Sequence, residues 1–148
     1  KYILNENFKN PHMKNIVNLA IETGMRRGEI LSIKTQNLME NYIWLPDSKN
    51  GNPRKIPLTS KAKAILKLST LPFPISSNAV RLNWNRMLKR SGITNLHFHD
   101  LRHEAISRFF EKGLSIPEVS LISGHKDVRQ LMRYTHLKVE TLLNKIEL

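Results

Sequence analysis

Four glycines punctuate this chain, at positions 24, 92, 113 and 124, and each closes a stretch that reads as a helix. Met13, Ile16, Val17, Ala20 and Ile21 recur at helical spacing ahead of Gly24, and Val80, Trp84, Met87 and Leu88 do so ahead of Ser91-Gly92. A helix from about Asp100 to Lys112 stops at Gly113. Ser115 and Glu118 have capping-box spacing, with Pro117 tolerated in the first turn, and that helix stops at Ser123-Gly124. Shorter helices are expected from near Arg27 and, with Ser60 as N-cap, through about Leu68. Between these two, Tyr42-Ile43-Trp44-Leu45 and Arg54-Lys55-Ile56-Pro57-Leu58 read as short strands, and their connection contains Asn50-Gly51, a tight-hairpin dipeptide. Leu71-Pro72-Phe73-Pro74 is a breaker. Val139, Leu142, Leu143 and Ile146 mark an amphipathic C-terminal helix that packs at home or on a neighbour. The pattern predicts a single domain over residues 1–148, mainly α with one small antiparallel β-sheet (an α+β fold).

Charge narrows the function. With 24 Lys+Arg against 12 Asp+Glu the 148-residue chain carries +12, which points to a polyanionic partner, nucleic acid first. The excess is uneven: residues 48–99 hold no carboxylate but ten cations, namely Lys49, Arg54, Lys55, Lys61, Lys63, Lys67, Arg81, Arg86, Lys89 and Arg90. Solvated surfaces ordinarily mix signs, so this stretch reads as a face that tracks DNA phosphates. Arg27, Arg54, Lys55, Arg81, Arg86, Lys89 and Arg90 are its candidate DNA-binding residues. No cysteine is present, which excludes a disulfide framework and a thiolate zinc site. No apolar run approaches the ~20 residues of a membrane span, and the start shows no signal-peptide pattern. The first residue is Lys1 rather than Met, which suggests a piece of a longer protein.

The candidate chemical groups sit at helix boundaries. In Thr23-Gly24-Met25-Arg26-Arg27-Gly28-Glu29, Arg26 stands at the start of a helix and Glu29, three residues on, can brace it. In His99-Asp100-Leu101-Arg102-His103, the His99 ring and the Arg102 fork project together at i, i+3. His99 and His103 also have the i, i+4 spacing of a zinc pair, but the metalloprotease pattern needs Glu where Asp100 stands. Acidic residues are scattered singly and there is no P-loop, so no metal and no cofactor are expected. The third segment is Gly124-His125-Lys126-Asp127, with Tyr134 nine positions after His125. On one unbroken helix nine residues rotate about 900°, placing imidazole and phenol on opposite faces. They meet only if the helix breaks, and Gly124 as a stop with Asp127 as a new N-cap provides that break.

Taken together these strings resemble the catalytic domain of the tyrosine site-specific recombinases, the phage integrase type. The resemblance runs from about Met13 to His136, and it rests on Thr-Gly-Met-Arg-Arg-Gly-Glu, the hairpin Ser48-Lys49-Asn50-Gly51, His-Asp-Leu-Arg-His, Gly-His-Lys-Asp and Arg133-Tyr134-Thr135-His136. Two positions depart from the family's pattern. Ser123 stands where Leu usually precedes Gly-His, and Glu104 replaces a Thr or Ser, and both are expected to touch packing only.

The resemblance implies that Tyr134 attacks a scissile DNA phosphate and leaves a 3′-phosphotyrosine link with a free 5′-hydroxyl. Arg26 and Arg102 offer guanidinium forks to the oxygens that gather charge, and His125 adds a donor. His99 is the expected acceptor or relay for the phenol proton, and Lys49 the general acid for the leaving 5′-oxygen. Glu29 braces. It further implies double-stranded DNA as partner, a homo-tetramer on two synapsed sites with this piece monomeric by itself, and an upstream DNA-binding domain outside the chain. Work in the bacterial cytoplasm, for the host or for a virus or other mobile element, follows from the same source. Two alternatives stay open: a type IB topoisomerase-like relaxer with the same covalent chemistry, and a DNA-binding module without catalysis.

Overall fold

The structure, a computed structural model, describes residues 8–46, 53–135 and 139–147. Its elements are α1 (Met13–Thr23), α2 (Arg27–Leu31), β1 (Tyr42–Leu45), β2 (Arg54–Pro57), α3 (Ser60–Leu68), α4 (Ser77–Ser91), α5 (Asp100–Glu111), α6 (Ile116–Ser123) and α7 (Val139–Ile146). A 3-10 turn at Thr35–Asn37 precedes β1, and a 3-10 segment, Val128–Tyr134, follows α6. The expected architecture is the observed one: mainly helices, with a two-stranded antiparallel sheet. No helix among the described residues is long and apolar enough to cross a membrane.

Helix α1 is the centre. Met13, Ile16, Val17, Leu19, Ala20 and Ile21 are all buried, so the helix is apolar around most of its circumference and must be surrounded. It packs on α5 and on α3. Gly24 ends it at φ 72° with its N–H on the Ala20 carbonyl. A Cβ there would lie 3.4 Å from the Phe109 ring of α5, so glycine supplies both the left-handed turn and the room. At the far side, Trp84 is fully buried, donates from Nε1 to the Leu96 carbonyl at 3.1 Å, and meets Phe98 edge to face.

The strands pair Tyr42 with Pro57 through Leu45 with Arg54. Alternation then decides faces: Ile43, Leu45, Arg54 and Ile56 point inward, while Trp44 and Lys55 point out. Residues 46–53 lie between the strand ends, and the expected turn at Asn50-Gly51 is outside the described residues. One cap differs from expectation. Thr59, not Ser60, caps α3, its hydroxyl accepting from the Ala62 N–H, because Thr59 holds the extended backbone that a cap needs.

A second, smaller apolar cluster joins Ile106 of α5, Val119 of α6 and Leu131, with Phe109, Phe110 and Tyr134 against them. This cluster seats the 3-10 segment on the rest of the fold. The apolar side chains of helix α7, Val139, Leu142, Leu143 and Ile146, are 44% to 76% exposed.

Candidate active site

The N-terminus of α2 builds the first part. Arg26 is its N-cap, in extended conformation, and Glu29 at the third helical position accepts the Arg26 N–H at 3.0 Å. Glu29 also lies 3.5 Å from the Arg26 guanidinium, the bracing that the i, i+3 spacing predicts. Its stronger partner is another arginine. Arg54 reaches across from β2 and donates from both terminal nitrogens to the Glu29 carboxylate, at 2.9 and 2.8 Å, and from Nε to the Ile122 carbonyl at 2.9 Å. Both side chains are about 95% buried.

This corrects the sequence reading, which puts Arg54 on a DNA-tracking surface. Arg54 occupies an inward register position beside Ile56, so its charge is spent inside on Glu29. A buried bidentate pair is a fixed strut whose two ends depend on each other. The strut also sets the next turn. Gly124 ends α6 at φ 76°, and a Cβ there would come within 2.8 Å of the Arg54 guanidinium.

Helix α5 supplies the second arginine. Arg102 is 3% exposed and donates to the Gly24 carbonyl at 2.6 Å and the Ser123 carbonyl at 2.7 Å, so it ties the ends of α1 and α6 to α5. Burial first, and then Arg26, pushes its pKa down to about 10, which still leaves a cation at neutral pH. His125 sits 3.5 Å from the same guanidinium through Nδ1. Burial and then Arg102, Arg26, Arg133 and Arg54 push its pKa down to about 4, so the ring is neutral in a strongly positive field. Such a field, with Glu29 already committed to Arg54 and Arg26, favours an anion.

The nucleophile candidate arrives differently. Asp127 caps the 3-10 segment by accepting the Arg129 N–H, the helix break that the His125–Tyr134 spacing requires. The break brings the Tyr134 hydroxyl onto Nδ1 of His103, and Arg133 donates to that hydroxyl at 2.8 Å. Arg133 also lies 3.1 Å from the same Nδ1. The expected partner of the phenol, His99, is one turn away: its ring meets His103 edge to face with centroids 5.1 Å apart. Geometry therefore gives the contact to His103, because α5 turns residue 103, not 99, toward the segment that carries Tyr134. Burial is the main reason that both imidazoles titrate below the usual range, with electrostatic repulsion from neighbours, His103 and Arg102 for His99 and Arg133 for His103, adding to it.

A cleft of about 640 Å³ is lined by Arg26, Arg27, Gly28, Ser77, Arg81, Trp84, Asn85, His97, Phe98, His99 and Arg102, with Met25 at its wall. Three of the six chemical candidates, Arg26, His99 and Arg102, thus face one hollow, with His125 against Arg102. Tyr134 is not among the lining residues. Lys49 lies outside the described residues, as does His136. Of the basic candidates, Arg27 and Arg81 share the cleft, whereas Arg86, Lys89 and Arg90 on α4 surround a second, open hollow with Lys9. Lys55 lies over the Tyr42 ring on the outer face of the sheet. Among the described residues no three His, Asp or Glu side chains gather as a metal would need.

Sequence reasoning also missed Ser123, assigned to packing alone: its hydroxyl is 2.6 Å from His125 Nδ1. Glu104, the other departure, lies exposed rather than in the packing, and accepts from Arg108 at 3.1 Å.

The chain matches the profile described as the phage integrase family, over residues 3–72 and 63–141. It is 40% identical over 147 residues to a shufflon-specific DNA recombinase of Escherichia coli, covering 94% of this chain and 38% of that one. It is 30% identical over 141 residues to tyrosine recombinase XerA of Saccharolobus solfataricus, covering 89% and 48%. The chain therefore spans less than half the length of these two relatives. Its fold is similar to that of the Tn1549 transposon integrase in complex with circular intermediate DNA, with a TM-score of 0.79, 15% identity and 99% of this chain and 61% of that one covered. It is similar too to the catalytic domain of bacteriophage HP1 integrase, with a TM-score of 0.74, 23% identity and 95% and 83% covered.

Proposed function

The chain belongs to the phage integrase family, and from that premise we propose that it is the catalytic part of a site-specific DNA recombinase that cuts and rejoins strands through Tyr134. The observation that carries the reading is the convergence of Arg26, Arg102 and His125 in one positive site, with a phenol held beside it by His103.

In this mechanism the Tyr134 oxygen attacks phosphorus, a Tyr–O–P bond forms, and the bond from phosphorus to the 5′-oxygen breaks. The phenol hydrogen passes to His103, which already faces it. This reading replaces His99, which is left to face the phosphate from the cleft wall. Arg26 and Arg102 donate to the non-bridging oxygens as charge builds there, and neutral His125 adds an N–H. Each such donor typically contributes a factor of about 10²–10³ in rate. Lys49, on the connection between β1 and β2, protonates the leaving 5′-oxygen. Because the phosphotyrosine conserves the energy of the broken ester, the 5′-hydroxyl of another strand can reverse the attack and reseal it without ATP or a metal.

DNA lies across the cleft and the α4 surface, with Arg27, Arg81, Arg86, Lys89 and Arg90 on its phosphates. The partner is double-stranded DNA, held in a homo-tetramer on two synapsed sites in the cytoplasm, while the domain by itself is monomeric. The exposed apolar face of α7 is the segment that protomers exchange. The names of the relatives, recombinase and integrase, support strand exchange over relaxation of one duplex.

The test is covalent. Full-length protein is incubated with nicked suicide DNA in EDTA and resolved under denaturing conditions. A denaturant-resistant adduct that is lost in Tyr134→Phe is expected, and its absence from the wild type would return the chain to the class of binding modules. Exchange between two DNA sites, as against relaxation of one plasmid, separates recombinase from topoisomerase-like activity.

A further inference from the structure

Ser123 is the last residue of α6 and is 1% exposed, yet its carbonyl and its hydroxyl make three contacts beside one imidazole. Its carbonyl accepts from Arg102 at 2.7 Å. Its hydroxyl oxygen lies 2.6 Å from His125 Nδ1 and accepts the His125 backbone N–H at 3.4 Å. The direction of the first hydroxyl contact follows from the other group at Nδ1. Arg102 Nη2 is 3.5 Å away and a guanidinium only donates. A hydrogen on Nδ1 would therefore set donor against donor beside a cation, whereas a lone pair there faces the guanidinium favourably. With the lone pair on Nδ1, the serine hydroxyl uses its one hydrogen as donor to the ring and one of its lone pairs for the backbone N–H. Every polar atom of the serine is then satisfied, as a buried hydroxyl requires. The ring's only hydrogen is left on Nε2. The turn itself is locked from the other side, since Ser120 donates to the His125 carbonyl at 3.0 Å.

We propose that Ser123 is a positioning residue that fixes His125 as the Nε2–H tautomer, so that the ring meets its anion as a single aimed donor. As a matter of role, the proposal rests on the reading of the site as a phosphodiester receptor. The tautomer itself rests on the geometry alone. An unassisted imidazole divides its hydrogen between two nitrogens and spends part of its time with the wrong face toward the ligand.

The experiment pairs nitrogen NMR with single-turnover cleavage of suicide DNA by the full-length protein. In wild type, the His125 nitrogens are expected to show hydrogen on Nε2 and a lone pair on Nδ1 at neutral pH. Ser123→Ala, which keeps the carbonyl that Arg102 uses, is expected to show a mixture of tautomers and to cleave about three- to tenfold more slowly, the value of one ordinary hydrogen bond, at unchanged DNA affinity. Ser123→Thr retains the hydroxyl and is expected to restore both the signal and the rate. A wild-type His125 with its hydrogen on Nδ1 overturns the proposal whatever the variants do. So does a Ser123→Ala protein with wild-type tautomer and wild-type rate. Failure of the wild type to form any adduct condemns the recombinase reading instead, and leaves the nitrogen signals to decide the tautomer.

Discussion

Arg26, Arg102 and His125 on one side, and Tyr134 on the other, are held by opposite means. The first three hang on bonds that span the molecule: Arg102 to the ends of α1 and α6, and Glu29 to Arg54 across from the sheet. All of those bonds are made by groups less than a tenth exposed. Tyr134 ends a 3-10 segment in which Leu131 alone is buried, and its hydroxyl is tied by His103 and Arg133 at the half-exposed edge. Besides those contacts, the Tyr134 ring stacks on Phe110 with centroids 6.2 Å apart. The contrast matches the demands of the proposed reaction, which reverses itself. Donors to developing charge act best when already in place and paid no reorganisation. On the proposed mechanism the nucleophile becomes one end of a DNA strand and is later released, so a lightly seated turn suits it.

The sharpest way to break this comparison is to cut the strut. Glu29→Ala leaves the Arg54 guanidinium buried without its carboxylate and is expected to cost about 3–5 kcal/mol in urea unfolding. A loss below about 1 kcal/mol would mean that the pair behaves like a surface bridge and that the receptor is not built into the core. Next in size is Arg26→Lys, which keeps charge but loses the fork. Single-turnover cleavage is expected to fall about 10²–10³-fold with the fold intact by circular dichroism. An unaltered rate would remove Arg26 from the receptor.

Gly124→Ala comes third. At φ 76° and 2.8 Å from the Arg54 guanidinium, a methyl is expected to cost more by thermal melting than the same change at Gly92 or Gly113, where a Cβ meets nothing within 4 Å and only the backbone angle costs about 1–2 kcal/mol. Equal losses at all three would show that only the backbone angle matters and that the turn is not set by Arg54.

The smallest effect is one of pH. His125 titrates at about 4 when folded and near 6.5 when unfolded, so below pH 6.5 the unfolded chain takes up the proton first. Its share of stability is whole above pH 6.5 and is lost as pH falls toward about 4. His99 and His103 are shifted the same way, so acid weakens both regions. His125→Asn is expected to melt with a shallower loss over that interval than wild type, and a parallel loss would contradict the positive field assigned to the receptor.

Local signals in the sequence carried far. Gly24, Gly92 and Gly124 stand in left-handed caps, Ser115 and Glu118 form their box, Asp127 caps the segment that brings Tyr134 round, and Glu29 braces Arg26. What stayed hidden depends on contacts between distant positions. Arg54 meets Ile122 from 68 residues away, and a count of cations has no means of separating a strut from a surface charge. Its alternation with Ile56 was the available clue, since the inward face of a strand extends to every second residue. His103 displaced His99 as the tyrosine's partner because the rotation of α5 relative to the 3-10 segment is set by Ile106 and Leu131 packing, which no spacing within either string reveals. Ser123 looked like a packing change because only the fold-back of His125 gives its hydroxyl a partner.

The central claim is that the phenol of Tyr134 becomes covalently bonded to DNA phosphorus beside that receptor. The most direct measurement is mass spectrometry of the adduct trapped on suicide DNA, after digestion of both protein and DNA. The account predicts a single peptide carrying the nucleotide, with the phosphate on Tyr134. A nucleotide found on Tyr42, or on any serine or lysine, would contradict it.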